Sequence, residues 1–242
     1  MSKLIELIDL RKVYGDGVEV VALDGVTFTI DEGEFLSIVG PSGSGKSTLL
    51  NMLGLLDSPT SGSILLRGVD VTTASHSERA RLRNKELGFV FQYHHLLPEF
   101  SALENVMMPL LIAGKRDKAA RERARQLLEE VGLGDRMDHR PTELSGGQNQ
   151  RVAIARALAN HPAIVIGDEL TGNLDTKSSE MIYETLRELN RSMDQTFILV
   201  THDMDMAVKT DRILRIVDGK LVSEMRREGG EFSTKDICQM GE

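Results

Sequence analysis

Apolar residues along this chain fall into two rhythms. The runs Phe35 to Val39, Leu87 to Phe91, Ile164 to Ile166 and Phe197 to Thr201 are short and nearly continuous, and longer stretches of helical spacing separate them. Strands alternating with helices in this way predict an α/β fold with a mainly parallel sheet. Between Lys115 and Val131 the rhythm is purely helical: Ala120, Ala124, Leu127, Leu128 and Val131 share one face, charged residues fill the other, and Gly132 supplies a stop. Tyr93 to Ala159 carries several such patterns and no convincing strand, which predicts a helical subdomain of about residues 93–158 inserted into a core of about 34–92 and 159–225. Residues 1–33 and about 62–71 read as an antiparallel flap. In its first segment, Leu4 and Leu7 alternate with polar residues, the pattern of an edge strand. The segment after Ser223, EMRREGGEFSTKDICQMGE, is polar, so residues 226–242 are expected to form a loosely ordered tail beyond a domain of residues 1–225.

Composition narrows the function classes. The 242 residues are 40% hydrophobic and 27% charged, as in ordinary globular proteins. A formal net charge of −8 gives the whole chain no attraction for polyanions, so nucleic acid is not an expected partner and any phosphate chemistry must be local. Apolar stretches such as Met107 to Ala113, interrupted by Pro109, fall well short of the ~20 residues that span a bilayer. Glu6 and Asp9 stand where a secretory signal requires apolar residues, so the chain is expected to stay in the compartment where it is made. The single cysteine, Cys238, excludes an intrachain disulfide and agrees with a reducing compartment.

That local phosphate chemistry has a clear candidate. Gly40-Pro41-Ser42-Gly43-Ser44-Gly45-Lys46-Ser47-Thr48 fits G-x-x-x-x-G-K-[ST] and lies between the strand FLSIV and the helical run TLLNMLGLL, the context that the motif requires. Its glycines let successive backbone N–H groups turn toward phosphate oxygens, and the helix adds its positive end. Lys46 is placed to reach the β- and γ-phosphates of ATP, and the Ser47 hydroxyl to ligate Mg²⁺.

Two further motifs extend the site. The apolar run Ala163 to Gly167 ends in Asp168-Glu169, so a buried strand delivers two carboxylates to the sheet edge where α/β folds bind ligands. An Asp-Glu pair could by itself merely cap the next helix. Downstream of a P-loop, Asp168 suits the Mg²⁺ shell and Glu169 suits a general base for the attacking water. Leu144-Ser145-Gly146-Gly147-Gln148 opens another helical run, Asn149 to Asn160, with Val152, Ala155 and Leu158 on one face. Ser145 and Gln148 fit a capping box, which alone would only start the helix. Gly146 and Gly147, however, leave bare N–H groups at a helix N-terminus, a second anion site that one P-loop does not need. Two sites suggest two subunits sharing nucleotide.

The P-loop, LSGGQ and IVIGDE together closely resemble the ABC ATPase family over nearly the whole chain. The resemblance implies a P-loop NTPase (RecA-like) core with the flap and helical insertion described above. It also implies an ATP-dependent homodimer in which Ser145, Gly146, Gly147 and Gln148 of one chain meet nucleotide on the other chain's P-loop. By the same resemblance Tyr14 stacks on adenine, Gln92 contacts Mg²⁺ and the attacking water, Asp175 lies in the loop that crosses the dimer, and His202 senses the γ-phosphate. Leu170 departs from the family, which usually has proline there, and this loosens the expectation for the backbone after Glu169.

The run HHLLPEFSALENVMMPLLI, residues 94–112, resembles the lipoprotein-releasing (LolD-type) branch of the family. MacB-type efflux and FtsE-type cell-division ATPases share much of it. The resemblance implies LolC/LolE-like integral membrane permease partners, lipoprotein as the indirect cargo, and a peripheral place on the cytoplasmic face of the inner membrane. In the family this segment receives a helix of the membrane subunit, so Tyr93, His94, His95, Leu96, Leu97, Pro98, Glu99, Phe100 and Ser101 are the contact candidates. Leu96, Leu97, Phe100, Met107 and Met108 offer adaptable apolar surface, although the methionine pair also suits the subdomain core. A different class, an ABC ATPase acting on nucleic acid or ribosomes, would call for a second P-loop, a long coiled coil or a basic face. A regulatory module with little turnover would not need Glu169.

Overall fold

The computed structural model describes residues 2–15 and 17–237, so Cys238 lies outside the described residues. A seven-stranded sheet forms the centre. Its parallel part runs β6 (Leu87–Phe91), β7 (Ile164–Asp168), β8 (Thr196–Val200), β3 (Phe35–Val39) and β9 (Arg212–Val217), and β10 (Lys220–Glu228) and β11 (Glu231–Asp236) add antiparallel strands beside β9. All five residues of β3 and of β8 are buried. Phe35, Phe197 and Leu199 face one core and Leu36, Ile38, Ile198 and Val200 the other, which is why these strands read as continuous apolar runs.

Each face has its own cover. On one lie α1 (Lys46–Leu53) and an antiparallel sheet in the order β2 (Val20–Asp31), β1 (Lys3–Tyr14), β4 (Ser61–Leu66), β5 (Val69–Asp70). Here the first segment differs from its edge-strand pattern: β1 is interior, bonded to β2 and β4. Its alternation reflects one buried face and one open face, which an interior strand of a one-sided antiparallel sheet shows equally. The other face carries α3 (Ala102–Ile112), α4 (Asp117–Glu130), α5 (Gly146–Ala157) and α6 (Thr176–Met193). Ala120, Ala124, Leu127 and Leu128 are the buried residues of α4, the face that the periodicity selects. A further helix, α2 (His76–Glu86), starts from a Ser75/Glu78 capping box and buries none of its residues fully, so no apolar stripe announced it.

The tail also differs from expectation. Residues 228–231 turn through Gly229 (φ 61°) and Gly230 (φ 98°), and Glu228 pairs with Glu231, so β10 and β11 form a two-residue hairpin. Phe232 packs near Val39, Ala207 and Ile213, with Arg227 over its ring at 4.7 Å. Buried Arg212 ties this part to the rest: its Nη1 donates to the Thr29 carbonyl (2.7 Å) and Glu34 (3.0 Å), and its Nε lies 2.9 Å from Glu224. A polar composition concealed a strand pair held by backbone ladders to β9 and to each other, with Arg212 and the Phe232 ring adding side-chain anchors. Among the described residues no helix is long and apolar enough to cross a membrane.

Candidate functional site

Parallel pairing brings the C-terminal ends of β3, β6, β7 and β8 to one edge, and the predicted phosphate and carboxylate residues leave from those ends. The P-loop follows β3. Gly45, the residue before α1, has φ 100° and caps that helix with no side-chain hydrogen bond, and no acidic residue occupies the first turn, so the helix's backbone donors and positive end are unopposed. A Cβ at Gly45 would lie 2.4 Å from the Ala22 carbonyl oxygen, and one at Gly40 2.1 Å from that of Ile216, so the backbone is packed closely on both sides. Lys46 folds over the loop and donates to the Gly40 and Pro41 carbonyls at 2.8 and 2.9 Å.

Asp168 ends β7, and Glu169 adopts the left-handed region at φ 49°, its N–H donating to the Val200 carbonyl at 2.9 Å. Burial, reinforced by the neighbouring Glu169, pushes the Asp168 carboxyl above its ordinary value, while Lys46 pulls the other way. The charge of a carboxylate in such a place is favoured by a bound cation. Leu170, where the family usually has proline, is buried and sits against Gly167, so packing of an apolar side chain holds this turn. The His202 Nδ1 lies 2.8 Å from Glu169 Oε1, joining two residues that the sequence had placed in separate roles. His202 is otherwise open, its side chain 72% exposed. Gln92, after β6, donates from Nε2 to Asn173 Oδ1 at 3.2 Å. Nothing in the motif reading singled out Asn173, two residues before Asp175.

Ser145 to Gln148 form the second helix start. The Ser145 hydroxyl accepts from the Gln148 N–H at 3.3 Å and Gln148 Oε1 accepts from the Ser145 N–H at 2.9 Å, so the capping box is real. No acidic residue occupies the first turn of α5. Gly146 and Gly147 approach Leu174 and Ser178, and Asp175 caps α6 by accepting from Ser178 N–H and Oγ at 2.9 and 2.8 Å. Among the described residues no hydrogen bond joins residues 145–148 to residues 40–48.

Tyr14 is 39% exposed, and its hydroxyl donates to Asp57 at 3.0 Å.

The loop 93–101 is only partly free surface. Tyr93, His95, Leu97, Pro98, Glu99 and Phe100 are exposed, whereas Leu96 packs against the helical core and Ser101 caps α3. His94 and His95 both adopt left-handed backbone, φ 58° and 47°. Arg156 of α5 holds them, donating from both Nη atoms to their carbonyls at 2.6 Å, and the His94 ring meets buried Gln150. Burial lowers the pKa of His94, with Arg156 and His95 adding to the effect and Gln150 opposing it. Buried Asn105 accepts from the Leu97 N–H and donates to the carbonyls of Leu97, Phe100 and Ser101. Sequence reasoning missed Asn105, Gln150 and Arg156. The available signal was a polar residue at a position that helical spacing assigns to the core, as Asn105 is between Ala102 and Val106. Beside the loop lies a cavity of about 500 Å³ whose lining includes Leu56, Arg83, Phe89, Leu97, Met108 and Ile112. Of the methionine pair, Met107 is buried and Met108 lines this cavity.

Comparison with known proteins agrees with this geometry. The family model for the ABC transporter matches residues 23–172. The lipoprotein-releasing system ATP-binding protein LolD of Geobacter metallireducens is 52% identical over 225 residues, 93% of this chain and 100% of that one. An uncharacterized ABC transporter ATP-binding protein of Thermotoga maritima is 52% identical over 228 residues, 94% of this chain and 97% of that one. Among solved structures, the ATP-binding cassette MJ0796, a dimer in a post-hydrolysis state bound to ADP and Pi, is 41% identical, with 93% of this chain and 100% of that chain covered and a TM-score of 0.84. The CbiO1 structure from Clostridium perfringens, part of the ABC transporter complex CbiONQ, is 28% identical, with 93% and 88% covered and a TM-score of 0.85. With a P-loop, a carboxylate pair at a strand end and a glycine-rich helix start in one α/β frame, this chain belongs to the ABC transporter family as an ATP-binding, ATP-hydrolysing subunit.

Proposed function

We propose that this subunit works as a homodimer closed around ATP and drives release of lipoproteins from the inner membrane through LolC/LolE-like permease subunits. The observation that carries the dimer is that two helix N-termini without an acidic residue in the first turn share no hydrogen bond among the described residues: α1 stands at the catalytic sheet edge, while α5 opens beside Asp175. A second copy would bring Ser145, Gly146, Gly147, Gln148 and Asp175 to the P-loop of the first. The dimeric cassette relative supports this reading. The lipoprotein assignment rests on the 52% identity to a LolD relative and on the segment 94–112.

Within each site, residues 40–48 hold the triphosphate through backbone N–H groups and Lys46. The donor set fits Mg²⁺: Ser47, Gln92 and Asp168 provide a few oxygen ligands at the sheet edge, and this ion is usually completed by substrate phosphates and water. When bound, Mg²⁺ neutralises charge that develops on the phosphates. Glu169 accepts the proton of the attacking water, and His202, bonded to Glu169 through Nδ1, fixes the direction of that carboxylate. The cavity beside loop 93–101 takes an apolar helix of the permease, which keeps the subunit peripheral on the cytoplasmic face. Purification of the native complex from membranes, with mass spectrometry of partners and cargo, tests the assignment. Lipoprotein-release permeases with bound lipoprotein are expected; permeases of another class would overturn it.

A further inference from the structure

Tyr14 stands in a small polar clamp that motif reading did not absorb. Its phenol donates to Asp57 Oδ2 at 3.0 Å. Lys12 Nζ lies 2.8 Å from the same oxygen, donates to the Ser58 carbonyl at 2.7 Å, and sits 4.8 Å from the centroid of the Tyr14 ring. The Lys12 side chain is only 12% exposed. Burial works against ionisation of Asp57, yet hydrogen bonds from Lys12, the Ser58 N–H and Tyr14 hold its carboxyl below its ordinary value. Burial and Asp57 raise the pKa of the phenol while Thr48, in the first turn of α1, lowers it, and Gly45 packs against the Ala22 carbonyl of β2, two residues from Tyr14's strand partner Val20, so the ring stands beside the phosphate loop. Val20, paired across the strands with Tyr14, is exposed, as is Val18 in the same hairpin. Directly paired residues share a face of the sheet, so Tyr14 and Val20 form one apolar surface next to the P-loop.

We infer that Lys12 and Asp57 are positioning residues that hold Tyr14 as a one-sided stacking platform for the purine base of the nucleotide. This rests on the assignment of Tyr14 to the base. Lys12 occupies one ring face, so a base has the other. The ammonium draws π density toward itself, which lowers the repulsion that a purine meets on the opposite face. Asp57 takes the phenol's only donor and fixes the direction of the side chain, while Lys12 against one face sets the ring plane, so the platform is ordered before nucleotide arrives.

The test titrates ATP against steady-state hydrolysis by the full chain and by Lys12→Met, Lys12→Arg, Asp57→Asn and Tyr14→Ala variants. Inhibition by inorganic tripolyphosphate, which has no base, is measured alongside. Lys12→Met and Asp57→Asn should raise KM for ATP roughly 3–10-fold with kcat nearly unchanged and tripolyphosphate inhibition intact. Lys12→Arg should restore wild-type KM, and Lys12→Met should add nothing in a Tyr14→Ala background. An unchanged KM in both Lys12→Met and Asp57→Asn, with a raised KM in Tyr14→Ala, would overturn the positioning role and leave the platform standing. An unchanged KM in Tyr14→Ala removes the platform itself. Parallel loss of tripolyphosphate inhibition in the clamp variants would make Lys12 and Asp57 general supports of the P-loop and would equally overturn the inference.

Discussion

Asp168 and Glu169 leave a strand hydrogen-bonded to neighbours on both sides, while Ser145 to Gln148 leave a turn in which, among the described residues, the Ser145 and Gln148 side chains each accept only from the other residue's backbone N–H. In the first region the backbone ladder sets position: β6, β7, β8 and β3 must end together, and Gln92, the carboxylate pair, His202 and the P-loop follow. In the second region a capping box fixes only the local start of α5. Its place in the molecule comes from the buried Val152, Ala153, Ile154 and Ala155 and from Gln150 and Arg156 holding loop 93–95. In the proposed dimer, one half of the site would be set by the sheet and the other carried by a helical unit.

The comparison can be broken first at the sheet edge. Glu169→Gln removes the proton acceptor but keeps its shape, so turnover should fall by about 10²–10⁴ while ATP binding persists and the closed dimer accumulates. Steady-state turnover and gel filtration with ATP check this, and unchanged turnover would remove Glu169 from the mechanism. The division between halves is sharpened by mixing chains. Lys46→Ala disables a P-loop half and Ser145→Arg the helix half, so each alone should lose most turnover. Their mixture should regain part of it, because a mixed dimer rebuilds one intact site. No recovery on mixing, in chains shown to associate, would place both halves in one subunit.

The smallest effect is expected where the helical unit holds loop 93–101. Asn105→Ala leaves the Leu97 N–H and three carbonyls without their buried partner. Unfolding free energy from urea titration should fall by about 2–3 kcal/mol. The P-loop half should keep its affinity for nucleotide. Unchanged stability would show that loop 93–101 is held by something other than Asn105.

How much of this was legible depended on the reach of each interaction. The strands β3, β6, β7 and β8 were readable to within about a residue or two because burial on both faces leaves continuous apolar runs. The buried face of α4 and the capping box at Ser145 were readable because they depend on residues three or four apart. The β10–β11 hairpin was misread because its anchors, Arg212 and the Val39 cluster, come from distant segments, and the turn signal that Gly229-Gly230 offered was passed over. The contact between His202 and Glu169, and the hold of Arg156 on the carbonyls of residues 94 and 95, join residues 33 and about 60 positions apart.

By itself the sequence determined the local chemistry: a glycine-rich phosphate loop, a strand ending in two carboxylates, a second glycine-rich helix start, and the period of β3, β6, β7, β8 and α4. These are encoded within a few residues, where backbone sterics and burial period act directly. Tertiary structure alone decided that β1 is interior, that Leu170 secures the Glu169 turn by packing, and that Lys12 and Asp57 clamp Tyr14. Each of those outcomes requires strands or loops far apart in the chain to meet, and no local pattern records which ones do.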